Sequence, residues 1–194
     1  MGKYPYKMNK AIFFDRDGVI NKEIFRDNLK KWTAPHSVNE IEFNKNIINV
    51  LKKIKKKKFL IFIISNQPDY ALGLTSLKNL KNVHNKINTT LFQKSILIKE
   101  YFYSFRHKKS IKKNLGPPCF DRKPNPFFIN KAIKKYNLDL INSWVIGDRQ
   151  TDIDCGKRAG IKTIGVISKN YLFNKKNKPD FSIKKINQIL KIIK

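Results

Sequence analysis

Three short apolar runs in this chain each stop abruptly at a polar cluster. Ala11-Ile12-Phe13-Phe14 gives way to Asp15-Arg16-Asp17-Gly18, Phe59–Ile64 to Ser65-Asn66-Gln67, and Ser143–Gly147 to Asp148-Arg149. Apolar runs this short, bounded by turn and charged residues, read as buried strands. Stretches of helical period separate them. Lys45–Lys56 sets Ile47, Ile48, Leu51 and Ile54 on one face, and a helix capped by Thr75 runs to about Phe92. Asn125–Tyr136 carries Pro126 in its first turn, and Gln150–Ala159 is closed by Gly160. Ser95–Phe105 begins as a strand and turns polar, and Ile161–Ile167 is a further strand. A short strand near Phe181 and a helix from about Lys184 to Lys194 end the chain. The repeated β-then-α order predicts an α/β fold, a three-layer Rossmann-like sandwich with a mainly parallel central sheet. Ligands of such sheets bind beyond the carboxyl ends of the strands. The three polar clusters fall at those ends, so three distant segments converge on one crevice.

A chain of 194 residues suits one well-buried core, and residues 10–194 are expected to form a single domain behind a tail of residues 1–9. No run approaches the ~18–20 apolar residues that cross a membrane, and the opening MGKYPYKMNK has no apolar signal core. Cys119 and Cys155 imply no disulfide framework. A soluble, cytoplasmic monomer is expected. The formal charge of +28 invites a polyanionic partner. The lysines, however, are spread from Lys3 to Lys194 among many Asn and Ile residues, which AT-rich coding favours. A dedicated nucleic-acid groove would be richer in Arg with interleaved aromatics. Coding bias is therefore preferred and nucleic acid is not favoured as a partner.

Asp15, Asp17, Asp148 and, one helical turn later, Asp152 meet at the strand ends. Packed without a cation, these carboxylates would repel and some would stay protonated. Mg²⁺ resolves the conflict, because it takes hard oxygen ligands and leaves part of its shell for a phosphate. Ser65 and Asn66 can donate to phosphate oxygens, and Arg122-Lys123-Pro124 brings cations ahead of a helix.

Together these segments resemble the haloacid dehalogenase superfamily of phosphotransferases. Asp15-Arg16-Asp17-Gly18, Ser65-Asn66, Lys123 and Gly147-Asp148-Arg149-Gln150-Thr151-Asp152 match its motifs in order, over roughly Lys10 to Ile167. The resemblance implies a two-step phosphoryl transfer. Asp15 would be the nucleophile, and Asp17 the acid and then the base, with a pKa raised by its site. Mg²⁺ would be held by the Asp15 carboxylate, the Asp17 backbone carbonyl and Asp148, with Asp152 supporting from outside. Ser65, Asn66 and Lys123 would bind the transferring group.

FFDRDGVIN, ISNQPDYALG, PPCFDRKPNP and SWVIGDRQTDIDCGKRAG look like the branch containing D-glycero-D-manno-heptose 1,7-bisphosphate phosphatase and histidinol-phosphatases. That branch implies a minimal cap, a small phosphorylated substrate, and substrate contacts from Arg122 and Arg149, with the loop Asn21–Arg26 a further candidate. Removal of the 7-phosphate is the leading expectation. Histidinol phosphate hydrolysis, a nucleic-acid 3′-phosphatase and a catalytically silent interaction protein are the alternatives. The branch also implies a structural zinc loop, but only His107, Cys119 and the weak candidate Asp121 remain here. Structural zinc takes four good N or S ligands, so no zinc is expected. Leu72 stands where relatives often carry Arg. Cys155, Trp32 and Trp144 read as packing residues, and His36 and His84 as ordinary surface or partly buried histidines.

Overall fold

A computed structural model describes residues 8–193. Its six-stranded sheet contains β1 (Ala11–Phe14), β4 (Leu60–Asn66), β5 (Glu100–Ser104), β6 (Trp144–Gly147), β7 (Lys162–Val166) and β8 (Phe181–Ile183). The order is β5-β4-β1-β6-β7-β8, and every pairing is parallel. β2 (Ile24–Arg26) and β3 (Lys31–Thr33) form a separate antiparallel hairpin.

Side chains alternate across a strand, and β1 uses both faces. Ile12 and Phe14 join one buried layer with Val50 and Leu51 of α1 (Ile47–Lys56) and Val83 and Ile87 of α2 (Leu77–Gln93). Ala11 and Phe13 join the other with Ile129 and Ala132 of α3 (Phe127–Tyr136) and Cys155 of α4 (Gln150–Arg158). This is the three-layer sandwich expected, with the packing role of Cys155 and Trp144 as read.

Several boundaries differ from the sequence reading. No strand begins at Ser95: that residue turns left-handed (φ 59°) to close α2, and pairing starts only at Glu100. Ser76, not Thr75, caps α2, its Oγ accepting from the Asn79 N–H at 3.1 Å. Pro126 precedes α3 as its N-cap. In place of a long terminal helix there is a 3₁₀ turn, Ile186–Gln188, and one α turn, α5 (Ile189–Ile192), after which Ile193 is extended. Lys194 and residues 1–7 lie outside the described residues. Asn9, counted with the tail, is tied in by its N–H to Asn137 O (2.9 Å) and by its carbonyl, which accepts from Asp139 (2.9 Å). The β2–β3 hairpin was not anticipated, because three-residue strands leave no periodic signal.

Candidate active site

β4, β1 and β6 are neighbours in the sheet, so their carboxyl ends lie side by side. The Asp15 N–H continues the ladder by donating to Ile146 O at 2.8 Å. Asp15 (6% exposed), Asp148 (1%) and Asp152 (1%) gather there with one carboxylate oxygen each inside a 4.8 Å group. Two glycines make this packing possible. Gly18 (φ 92°) lies so close to the Asp148 carboxylate that a Cβ would overlap it, and a Cβ on Gly147 would overlap Asp152.

Lys123 arrives from the loop before α3 and is 4% exposed. Its Nζ lies 2.6 Å from Asp15 Oδ1, 2.6 Å from Asp152 Oδ1 and 3.0 Å from the Ile64 carbonyl. Burial disfavours the ammonium, but the two carboxylates outweigh it and the Lys123 pKa rises. Burial also pushes Asp15 up to about 7, with Lys123 opposing and Asp152 and Asp17 adding to the rise. Asp148 is pushed up to about 9 by burial and by the neighbouring Asp15 and Asp152. Its Oδ1 is buried without a hydrogen-bond partner among the described residues. An orphaned carboxylate oxygen beside two more carboxylates is the donor set a hard divalent cation takes, so the residues present fit Mg²⁺.

Asp17 departs from expectation. Its carboxylate accepts from Arg16 Nε and Nη2 (3.0 Å each), Asn21 Nδ2 (2.9 Å) and Gln67 Nε2. Burial alone would raise its pKa, but the adjacent, fully buried Arg16 and these donors lower it instead. In this state Asp17 is an ionised carboxylate whose proton affinity is weakened by its donors. Arg16 and Gln67 carry no functional assignment in the sequence, and Asn21 carries one only as the first residue of the candidate substrate loop Asn21–Arg26. The only signals were the position of Arg16 between two aspartates and of Gln67 directly after Ser65-Asn66.

Ser65 is brought to the same point, its Oγ 3.4 Å from Asp17 Oδ2 and accepting from Gln67 Nε2 at 2.8 Å. Asn66 lines the same cavity and also braces the lysine. Its Oδ1 accepts from the Lys123 N–H (3.0 Å) and its Nδ2 donates to the Lys123 carbonyl (3.1 Å), so it clamps the lysine's backbone.

These residues open onto a cavity of about 1010 Å³ whose outer wall includes Arg122, Arg149, Lys31, Trp32, Leu72 and Tyr171. Arg149 is held by the Glu23 carboxylate and by Tyr171, whose Oη accepts at 2.8 Å and whose ring centre lies 4.4 Å from the guanidinium carbon. Of the Asn21–Arg26 loop, Glu23 reaches the cavity, while Arg26 turns away to Glu40 (2.8 Å). Trp32 is not a core residue: it is 38% exposed and meets Phe25 edge-on across the hairpin. His36 is partly buried, as read, and its Nε2 pairs with Asp69 at 2.8 Å. His84 is half-buried beside Tyr101 and Tyr103, as read. His107, Cys119 and Asp121 are not gathered into a metal-binding group among the described residues.

A parallel sheet that brings Asp15, Ser65, Lys123 and Asp148 to one buried point defines a hydrolase of the haloacid dehalogenase type. Residues 120–188 match the HAD-hydrolase-like family model. The D-glycero-alpha-D-manno-heptose-1,7-bisphosphate 7-phosphatase of Photorhabdus laumondii is 36% identical over 152 residues, covering 78% of this chain and 79% of that protein. The chain thus belongs to the D-glycero-D-manno-heptose-1,7-bisphosphate 7-phosphatase family, and it is a phosphoric monoester hydrolase. The D-glycero-beta-D-manno-heptose-1,7-bisphosphate 7-phosphatase of Helicobacter pylori strain 26695 is 29% identical over 164 residues, covering 84% of this chain and 87% of that protein. The fold matches the crystal structure of D,D-heptose 1,7-bisphosphate phosphatase from B. bronchiseptica complexed with magnesium and phosphate. There the TM-score is 0.76 at 21% identity, covering 94% of this chain and 99% of that one.

Proposed function

We propose that the protein removes the 7-phosphate of D-glycero-D-manno-heptose 1,7-bisphosphate, using Mg²⁺ and an aspartyl-phosphate on Asp15, in the supply of activated heptose for surface polysaccharide. The observation that carries this reading is the 36% identity to the Photorhabdus protein over about four-fifths of both chains. Asp15 Oδ attacks phosphorus as the P–O bond to the sugar breaks, and the leaving oxygen takes a proton at Asp17. Water then attacks the phosphorus of the aspartyl-phosphate, the Asp15 Oδ–P bond breaks to free inorganic phosphate and restore the carboxylate, and Asp17 takes the proton that water releases. The hydrogen bonds around Asp17 leave it unprotonated for this second half but weaken it as a base, and in the first half Asp17 must hold a proton against the Arg16 charge. Lys123 and Ser65 offset charge on the transferring group. Held by Asp15, the Asp17 backbone carbonyl and Asp148, with Asp152 supporting, Mg²⁺ would supply Lewis-acid polarisation of the phosphoryl oxygens. Arg122 and Arg149 stand where the remote part of the substrate would lie. A cytoplasmic location and a monomeric state are part of this proposal; no helix among the described residues is long and apolar enough to cross a membrane.

The test is a phosphate-release panel: both anomers of the heptose bisphosphate, histidinol phosphate, other sugar phosphates and a 3′-phosphorylated oligonucleotide. The heptose bisphosphate should give the highest kcat/KM. Preferred turnover of the oligonucleotide, falling steeply with salt, would overturn the assignment.

Metal linkage gives a second expected result. In the absence of a cation, the folded state holds protons on Asp15 (pKa about 7) and Asp148 (about 9) that the unfolded chain, at 3.8, has released. Stability contributed at these sites therefore falls as pH rises from about 4 to about 9. Mg²⁺ displaces those protons, so the gain in melting temperature on adding it should grow from pH 5 to pH 9. Melts in chelator and in excess Mg²⁺ check this; a gain constant across that range would contradict it.

A further inference from the structure

After β5 ends at Ser104 the chain makes a long excursion before α3 begins at Phe127, with only the 3₁₀ turn Lys113–Leu115 as regular structure. Irregular stretches of this length need something to order them, and this one delivers Arg122 and Lys123. Apolar burial does little of the ordering: Ile111 is 69% exposed and Phe120 43%.

One side chain joins the parts of the excursion. Arg106 Nη1 donates to the carbonyls of Asn114 (3.1 Å) and Gly116 (3.2 Å). Its guanidinium carbon lies 4.8 Å from the Phe120 ring centre. Its Nε lies 3.8 Å from Asp121, whose carboxylate accepts from Ser104 Oγ at 2.7 Å. The Arg106 backbone carbonyl accepts from Arg122 Nη1 at 3.2 Å. The side chains that could ligate a structural zinc here are otherwise engaged or isolated. Asp121 faces Ser104 and Arg106, the His107 Nδ1 accepts from the Lys109 N–H at 3.2 Å, and Cys119 is a partly buried free thiol. This set does not fit a tetrahedral N/S site.

We infer that Arg106 is the positioning residue of this loop: its guanidinium, and not a metal, pins residues 114–121 to the end of β5 and thereby orients Arg122. A planar fork with five donors can bridge several carbonyls and stack on an aromatic face at once, which a lysine does not do. The effect is directed at Arg122. Lys123 is fixed independently, by Asn66 on its backbone and by three acceptors on its Nζ. The one side-chain hydrogen bond of Arg122 among the described residues is to the backbone carbonyl of Arg106, whose position the guanidinium fixes through Asn114 and Gly116.

The experiment uses the full chain with Mg²⁺ and the variants Arg106→Met and Arg106→Lys. In Arg106→Met, amide hydrogen exchange over residues 105–121 should accelerate by about tenfold or more, the scale of losing hydrogen bonds to a charged donor, while the sheet amides stay unchanged. KM for the heptose bisphosphate should rise by about tenfold with kcat within about twofold, the signature of lost ground-state binding. Arg106→Lys should recover part of the exchange protection and little of KM. Unchanged exchange and KM in Arg106→Met would overturn the inference. So would stoichiometric zinc in the purified protein whose removal frees the loop. A wild-type chain that fails to hydrolyse the bisphosphate would defeat the substrate assignment only, because loop exchange still decides the role of Arg106.

Discussion

Asp15→Asn should lower turnover by about 10⁴-fold or more, because removing the nucleophile of a concerted unit removes the covalent route as a whole. The same variant should melt at a higher temperature than the wild type in chelator at pH 8. The two effects have one origin. Asp15 is 6% exposed at the carboxyl end of β1 with its pKa pushed up to about 7. A carboxyl whose folded pKa lies above its unfolded value of 3.8 opposes folding increasingly as pH rises through that interval. An amide has no such penalty, and Lys123 retains Asp152 as a partner at 2.6 Å. A loss of activity paired with a gain of stability separates a functional residue under electrostatic stress from a structural one. Phosphate release under single-turnover conditions and thermal melts measure both. Near-normal turnover would remove Asp15 from its role.

The parts of this molecule legible in the sequence are those where one residue type has one physical reason to be present. Ala11–Phe14 is apolar on both faces because β1 is covered by helices on both sides, and it stops at Asp15 because the sheet ends there. Lys123, inconspicuous among so many lysines, became legible only through its order relative to Asp15, Ser65 and Asp148. The unread parts are pairings between segments far apart in the chain. Nothing in Asn66 indicates that it faces the backbone of Lys123, 57 residues on. Arg16 between two aspartates could have pointed to solvent; the structure buries it against Asp17 and Gln67, which reverses the expected direction of the Asp17 pKa. The β2–β3 hairpin escaped because its strands are too short for a period, yet it sets Lys31 and Trp32 on the cavity wall. Tyr171, in an irregular stretch, had no signal, and it is half of what holds Arg149.

Lys123→Met carries the largest expected loss of stability. The lysine is 4% exposed, and its Nζ is shared by Asp15, Asp152 and the Ile64 carbonyl. Removing one member of a buried ionic group leaves uncompensated charge and costs about 3–5 kcal/mol. The Lys123 pKa is raised in the folded state, so its contribution is complete below the unfolded value of 10.5 and is lost progressively as pH rises from there through the still more alkaline folded value. The destabilisation should accordingly be present throughout neutral pH in denaturant titrations. Activity should fall for a separate reason. Lys123 is the cation that opposes burial at Asp15, so without it the Asp15 pKa moves further above about 7 and the ionised nucleophile becomes scarcer at neutral pH. The rising limb of the rate-against-pH profile should then shift to the alkaline side, with Mg²⁺ recovering part of the shift. Lys123→Arg keeps a charge but not a compact ammonium that fits between two carboxylates and a carbonyl. It should retain more stability than Lys123→Met and little more activity. A fall in kcat with no movement of that limb would assign Lys123 to charge on the transferring phosphoryl group alone, and the ionisation of Asp15 would then rest on the metal.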